Sequence, residues 1–248
     1  MDISVITFTM GGRDNYLQDC VVSVINDLLN TDDNLKIEHH IILQGCPYPQ
    51  FIFDVIANSS AVKNYDLYIH EWRENIGIGA GLNKITPQCN SSLIMKMDDD
   101  CKIISRDFFG SALALHRRFP NSVFSPFPVG LIRSLGGVPA IRHSVWNDKR
   151  YDKFYTRRHV NHVGGFARFA PTELMKQFTF PSDLISGISG TEDGNFSSYC
   201  NSKGIEMFYL ENEMIVEHNE SGLGQIIRYP DYFSGRSWES TLKIEVLE

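Results

Sequence analysis

The sequence has no cysteine pair at C-x-x-C spacing, no apolar run long enough to cross a bilayer, no basic excess and no internal repeat or low-complexity linker. Its cysteines, Cys20, Cys46, Cys89, Cys101 and Cys200, are odd in number and widely scattered, which fits reduced thiols and a cytoplasmic location better than a disulfide framework or a zinc motif. Met1-Asp2-Ile3-Ser4-Val5 enters a strand pattern directly, without a basic start and apolar core, so neither a secretory leader nor integral membrane association is expected. A formal charge of −7 argues against non-specific nucleic-acid binding by the chain as a whole.

What is present is the composition of a globular protein, 42% hydrophobic and 21% charged over 248 residues, enough for one large α/β unit. Ile3 to Thr9 reads as a strand, broken by Gly11 and Gly12 before a helical pattern that puts Tyr16, Cys20, Val24 and Leu28 on one side. Ile37 to Leu43 and Leu67 to His70 are the next strands, with a helix expected over Phe51 to Ile56. Ser92 to Met97 is a fourth strand, and the alternation predicts a mostly parallel central sheet flanked by helices. Helices follow over Asp107 to Phe119, Pro171 to Gln177 and Glu192 to Lys203, the last ended by Gly204. Pro120 to Pro139 reads as loops and short strands; Ile205 to Leu210 and Glu213 to Val216 are late strands leading to Glu217-His218. Residues 1–220 form the expected catalytic domain, and 221–248 a tail packing on or covering it.

The fourth strand delivers Asp98, Asp99 and Asp100 to its carboxyl end, where open α/β sheets collect ligands. Three adjacent carboxylates repel one another unless a cation offsets them. Mn²⁺ or Mg²⁺ would do so, and could also bridge the phosphates of a nucleotide donor; a solvated acidic turn is the plainer alternative. Thr191-Glu192-Asp193 opens a helix, so its acids serve either as first-turn capping residues or as a base for a hydroxyl nucleophile. His218 offers a neutral imidazole to the same metal, although a lone histidine is usually structural. Gly77 to Gly81 lacks full G-x-G-x-x-G spacing and follows the third strand rather than the first, which disfavours a dinucleotide fingerprint.

In order and spacing, Val5 to Arg13, Asn75 to Asn83, Met97-Asp98-Asp99-Asp100, Gly164-Gly165-Phe166, Thr191-Glu192-Asp193 and His218 resemble the family 2 inverting glycosyltransferases of the GT-A fold. The resemblance spans roughly Ile3 to Asn219. It implies a nucleotide-diphospho-sugar transferase fold and a D-x-D pair in which Asp100 binds metal and Asp98 lies nearer the ribose or sugar, with His218 joining the metal. It implies Asp193 as catalytic base, supported by Glu192, and a donor pocket drawn from Thr9, Arg13, Gln44, Asn75, Gly77, Asn83, Asp98 and Asp99. Where that family often places an aspartate for uracil, this chain has Gln44-Gly45-Cys46. A glutamine amide both donates and accepts, so a UDP-sugar is the first expectation and guanine or another base stays open.

Between Arg133 and Arg158 seven basic residues face two acids, interleaved with Trp146, Tyr151, Phe154 and Tyr155. This segment, 130–160, is expected on the acceptor side with Gly164, Gly165, Trp146, Arg157 and Arg158. It is read as a lid, as a surface for a phosphorylated acceptor, a lipid-linked phosphate or hydroxymethylated bases in DNA, or as a solvated loop. The acceptor hydroxyl is accordingly on a glycan, a small molecule or modified DNA. A sugar nucleotidyltransferase and a non-catalytic nucleotide-sugar binding module are the readings from other classes.

Overall fold

β-branched and apolar residues from Ile3 to Thr9 form β1, and all of its residues are buried, as expected of a parallel strand covered on both faces. The computed structural model describes residues 1–31, 34–52, 54, 62–130, 139–182 and 192–218. β2 (Ile37–Gln44) and β4 (Leu93–Asp98) flank β1 in parallel, and β3 (Tyr65–Trp72) adds outside β2. Between them run α1 (Asp14–Leu29) and α2 (Ile78–Ile85), followed by a 3-10 turn at Thr86–Gln88. On α1 the buried face carries Cys20, Val24 and Leu28 as expected, with Leu17 rather than Tyr16 inside. Of the helix expected over Phe51 to Ile56, residues 50–52 and 54 are helical, and the rest lies outside the described residues.

Beyond β4 the pattern changes. The sheet order is β3-β2-β1-β4-β10-β6-β11-β9-β8, with β10 (Ala167–Pro171) antiparallel to β4 and to β6 (Val123–Ser125). β11 (Met207–Leu210) is parallel to β6, and the hairpin of β8 (Arg142–Asp148) and β9 (Lys153–His159) closes the sheet antiparallel. The sheet is therefore mixed: its first four strands are the parallel unit that the strand-helix alternation predicts, and beyond β4 antiparallel pairs predominate, with β6 and β11 paired in parallel. Flanking helices are α3 (Phe108–Arg118), α4 (Thr172–Gln177) and α5 (Glu192–Ser202). A small second sheet orders β5 (Cys101–Ile103), β12 (Ile215–His218) and β7 (Phe127–Val129).

β2 contributes to two apolar clusters, and the division is not one of faces, since Ile37 shares a face with Ile41 and Leu43. Ile37 and Ile42 join the main core with β1, β4 and α3, whereas Ile41 and Leu43 pack with Leu17, Val21, Cys46 and Ile52 in a smaller cluster. The expected tail, 221–248, lies outside the described residues, and among these no helix is long and apolar enough to cross a membrane.

Candidate active site

The chain leaves β1 toward β2 on one side and later enters β4 on the other, so the carboxyl ends of β1 and β4 border a topological switch point. Thr9 ends β1, Arg13 sits at the N-cap of α1, and Asp98 ends β4 with Asp99 and Asp100 in the turn to β5. Gly11 makes the turn between them possible. Its φ is +84°, and a Cβ there would collide with Cys46.

The Arg13 guanidinium spans two of the acids: Nη1 lies 3.2 Å from Asp99 Oδ1, and Nη2 donates to Asp100 Oδ2. Burial pushes the Asp99 carboxyl up to about 7; Arg13 and Thr9 oppose the rise while Asp100 and Asp98 add to it. Asp98 is shifted upward too, by burial and Asp100 against the pull of Lys96. These shifts come first from burial and then from the neighbouring carboxylates, and a divalent cation would offset both.

His218 joins this cluster through the second sheet. β12 runs antiparallel to β5 with His218 opposite Cys101, which brings His218 Nε2 to 3.3 Å from Asp100 Oδ1. Two ligands on adjacent positions of one ion at ~2.1 Å are separated by roughly 3 Å, so the spacing suits a shared divalent ion. Ligand atoms of Asp100, Cys101 and His218 all lie within 4.8 Å of one another. Burial, with Asp100 and Asp98 adding to it, holds the Cys101 thiol well above its usual range, and it donates to the Phe166 carbonyl at 3.4 Å; a hard divalent ion takes the carboxylate and imidazole in preference to a thiol. That set fits Mn²⁺, with Mg²⁺ favouring oxygen ligands more strictly.

Asp193 stands in the first turn of α5 next to the buried Glu192; Thr191 lies outside the described residues. Its Oδ2 accepts from Gly165 N at 2.7 Å and its Oδ1 from Arg168 Nη1 at 2.9 Å. A Cβ on Gly165 would overlap this carboxylate, so only glycine allows the approach. The carbonyl of the same Gly165 accepts from Lys96 Nζ at 2.6 Å, and Lys96 also donates to Asp98. One lysine and one glycine thus tie Asp98 to Asp193. Burial alone would lower the Lys96 ammonium, but Asp98, Asp193 and Glu192 hold it above its usual value. Gly164 N donates to the Tyr209 hydroxyl at 2.6 Å, which seats the same loop on β11.

Sequence reading overlooked Lys96, Arg168 and Tyr209. The signal was a charged residue inside each of two otherwise apolar strands, Leu93-Ile94-Met95-Lys96-Met97 and Ala167-Arg168-Phe169. An ammonium or guanidinium placed there is costly unless carboxylates meet it.

The other expected donor residues have local partners. Gln44 Oε1 accepts from Ile76 N at 3.1 Å, and Asn75 Oδ1 from Gly77 N at 2.8 Å. Gly77, with φ of 80°, caps α2. Asn83 exchanges two 2.8 Å hydrogen bonds with the Phe180 backbone, so its amide braces that segment. The basic segment is not the weakly periodic loop that a lid would need; its described part is the β8–β9 hairpin, while Arg133 lies outside the described residues. Trp146 stacks on Tyr155 at 5.1 Å, and Arg157 sits over Phe119 at 3.9 Å with Glu206 3.5 Å away. Arg158 pairs with Glu211 at 3.8 Å. β9 is four strands from β4, or roughly 19 Å at ~4.8 Å per strand. Trp146, Arg157 and Arg158 are therefore not gathered with the acids, whereas Gly164 and Gly165 are.

No protein-family profile matches the chain, and no curated protein matches it in sequence. Solved structures do. S. aureus TarS 1–349 in complex with UDP superposes with a TM-score of 0.61 at 16% identity, over 94% of this chain and 65% of that one. GalNAc-T7 with UDP, GalNAc and Mn²⁺ gives 0.62 at 12% identity, over 88% and 44%. The mannosyltransferase PcManGT from Pyrobaculum calidifontis, with GDP-Man and Mn²⁺, gives 0.57 at 13% identity, over 87% and 56%. The chain is thus shorter than each, spanning less than two thirds of their lengths. What the likeness shows is the fold, that of the GT-A nucleotide-diphospho-sugar transferases.

Proposed function

We propose that this chain is a metal-dependent, inverting glycosyltransferase of family 2 type, moving a hexosyl or pentosyl group from a nucleoside-diphosphate sugar to an acceptor hydroxyl. The observation that carries the reading is the Gly165 peptide, which joins the acids of the β4 end to the oriented Asp193 carboxylate. Solved structures of the same fold hold UDP, GDP-Man and Mn²⁺, and these support a nucleotide-sugar donor here.

Asp98, Asp100 and His218 would hold the metal, which when bound would supply positive charge beside the diphosphate. Arg13 presents a guanidinium to the same crevice. Asp193, fixed by Arg168 and Gly165, takes the hydroxyl proton as the acceptor oxygen bonds to the anomeric carbon from the face opposite the leaving phosphate. The carbon-phosphate oxygen bond breaks with inversion, and a nucleoside diphosphate is released. UDP is the first donor choice, with Gln44 near the base.

Arg142, Arg150, Lys153, Arg157 and Arg158 each pair with an acid, respectively Glu206, Asp148, Asp107, Glu206 and Glu211. This favours a glycan or small-molecule acceptor over modified DNA, because phosphate binding would have to compete with these pairs.

The decisive test combines binding and turnover. Calorimetric titration of UDP, GDP, CDP and ADP with and without Mn²⁺ is expected to show metal-dependent binding of one nucleotide, lost in Asp100→Ala. Asp193→Asn should keep that binding while transfer falls by something like 10²-fold or more. Near-normal turnover in Asp193→Asn rejects the mechanism. Release of pyrophosphate would identify a nucleotidyltransferase, and donor binding without turnover across a broad acceptor panel a non-catalytic module.

A further inference from the structure

A second polar cluster lies at the opposite, amino-terminal edge of the parallel strands. Ser4 of β1 is in register with Glu38 of β2, whereas Asp98 pairs with Phe8, four residues further along β1 and so roughly 13 Å away. Glu38 and His40, two apart on β2, share one face, and Cys89 approaches that face from the end of the 3-10 turn. All three are buried, at 2%, 3% and 0% exposure, and one ligand atom from each lies within 4.8 Å of the others.

The groups are incompletely satisfied by one another. Glu38 Oε1 accepts from Ser4 Oγ and from Asn90 N at 2.7 Å. His40 Nδ1 is 3.0 Å from His70 Nε2, while its own Nε2 is buried without a hydrogen-bond partner, 3.8 Å from Glu38 Oε1. That gap exceeds the ~2.7–3.2 Å range of an N–H···O bond. In the tautomer that donates Nδ1–H to His70, Nε2 would present a lone pair to the cluster, the arrangement in which a second histidine nitrogen is oriented for a metal. Cys89 Sγ is also within the group and donates to the Ile85 carbonyl at 3.7 Å. Burial pushes its thiol up to about 12, so it is a neutral thiol until a bound cation, which deprotonates a coordinating thiol, displaces the proton.

We propose that Glu38, His40 and Cys89 bind a Zn²⁺ ion. Carboxylate oxygen, imidazole nitrogen and thiolate sulfur are each ordinary zinc ligands, and three protein ligands leave a fourth tetrahedral position. Adjacent ligands in such a site are about 3.5 Å apart, so separations of up to 4.8 Å close by about 1.3 Å or less on binding. As the Zn–S bond forms, the Cys89 S–H bond breaks and its proton goes to solvent. The sulfur ligand separates this site from the crevice near Asp100, whose oxygen and nitrogen set suits Mn²⁺ or Mg²⁺. The proposal stands independently of the glycosyl-transfer reading.

The test uses the chelator-treated full chain carrying Asp100→Ala, with Co²⁺ as spectroscopic probe. A thiolate-to-cobalt charge-transfer band is expected at one equivalent, displaced by Zn²⁺ but not by equal Mn²⁺ or Mg²⁺. Cys89→Ser and His40→Gln should abolish it, and Cys101→Ser should leave it. Absence of the band, its survival in Cys89→Ser, or its loss in Cys101→Ser overturns the site. Should Cys89→Ser not fold, X-ray absorption of the zinc-loaded Asp100→Ala chain decides: one sulfur among light-atom ligands supports the site, and nitrogen and oxygen alone refute it.

Discussion

His39 shows how far a single buried side chain can shape the response of this molecule to acid. Its ring nitrogens are both occupied, Nε2 by Thr7 Oγ1 at 3.0 Å and Nδ1 by the Tyr65 hydroxyl at 2.9 Å. Burial, reinforced by His40, pushes its pKa down to about 3. The unfolded value is near 6.5, so between those limits the unfolded chain binds a proton that the folded chain does not. The stabilisation is complete above about pH 6.5 and is lost as pH falls toward 3. One proton corresponds to about 1.4 kcal/mol per pH unit. His39→Gln is expected to flatten the pH dependence of unfolding free energy between about pH 6 and 4 by that amount, and an unchanged slope in urea titrations would contradict the assignment. Arg168, exposed to 1%, and Lys96, to 2%, are paired in register across β10 and β4 and answered by Asp193 and Asp98. Asp98 follows Lys96 by two residues on the same strand, a pairing open to sequence reading, whereas the counter-charge of Arg168 comes from Asp193 on α5, distant in sequence.

At the scale of elements, the start of α3 is fixed from a distance. Asp107 is left-handed at the N-cap and makes no side-chain cap bond. Asp27, on α1, accepts from Phe108 N at 2.9 Å and from Phe109 N at 3.0 Å and so satisfies amides that the helix leaves open. Asp27→Ala should cost about 1–2 kcal/mol, the upper range for lost caps, seen as a lower midpoint in thermal or urea unfolding. The strands and helices bordering the acids were legible because their apolar periodicity is local. The β8–β9 hairpin was not, although Val145, Trp146, Phe154 and Tyr155 flank a polar turn. Clustered basic residues obscured its two-residue alternation, and their partners Glu206 and Glu211 are distant in sequence.

For the molecule as a whole, ligand binding and stability should be linked through the switch point. If Asp98, Asp100 and His218 hold Mn²⁺, the ion binds the folded chain alone, and occupancy at about 100-fold over Kd adds roughly 2.7 kcal/mol. Thermal unfolding is expected to shift upward with Mn²⁺, further with the cognate nucleotide, and downward on chelation, with Asp100→Ala abolishing all three effects. An equal Mn²⁺ shift in wild type and Asp100→Ala would remove the metal from that crevice.

By itself the sequence determined the parallel β1–β4 unit, the delivery of the three aspartates to a strand end and the placement of Glu192 and Asp193 in the first turn of a helix. These depend on periodicity, glycine punctuation and strand ends, which are short-range properties of the chain. Only the tertiary structure decided that β10 runs antiparallel beside β4, that Gly165 bridges Lys96 and Asp193, and that His218 meets Asp100 across the β5–β12 pair. Strand register and buried charge pairing are long-range choices, fixed by which partner can bury apolar surface and satisfy each polar group at once.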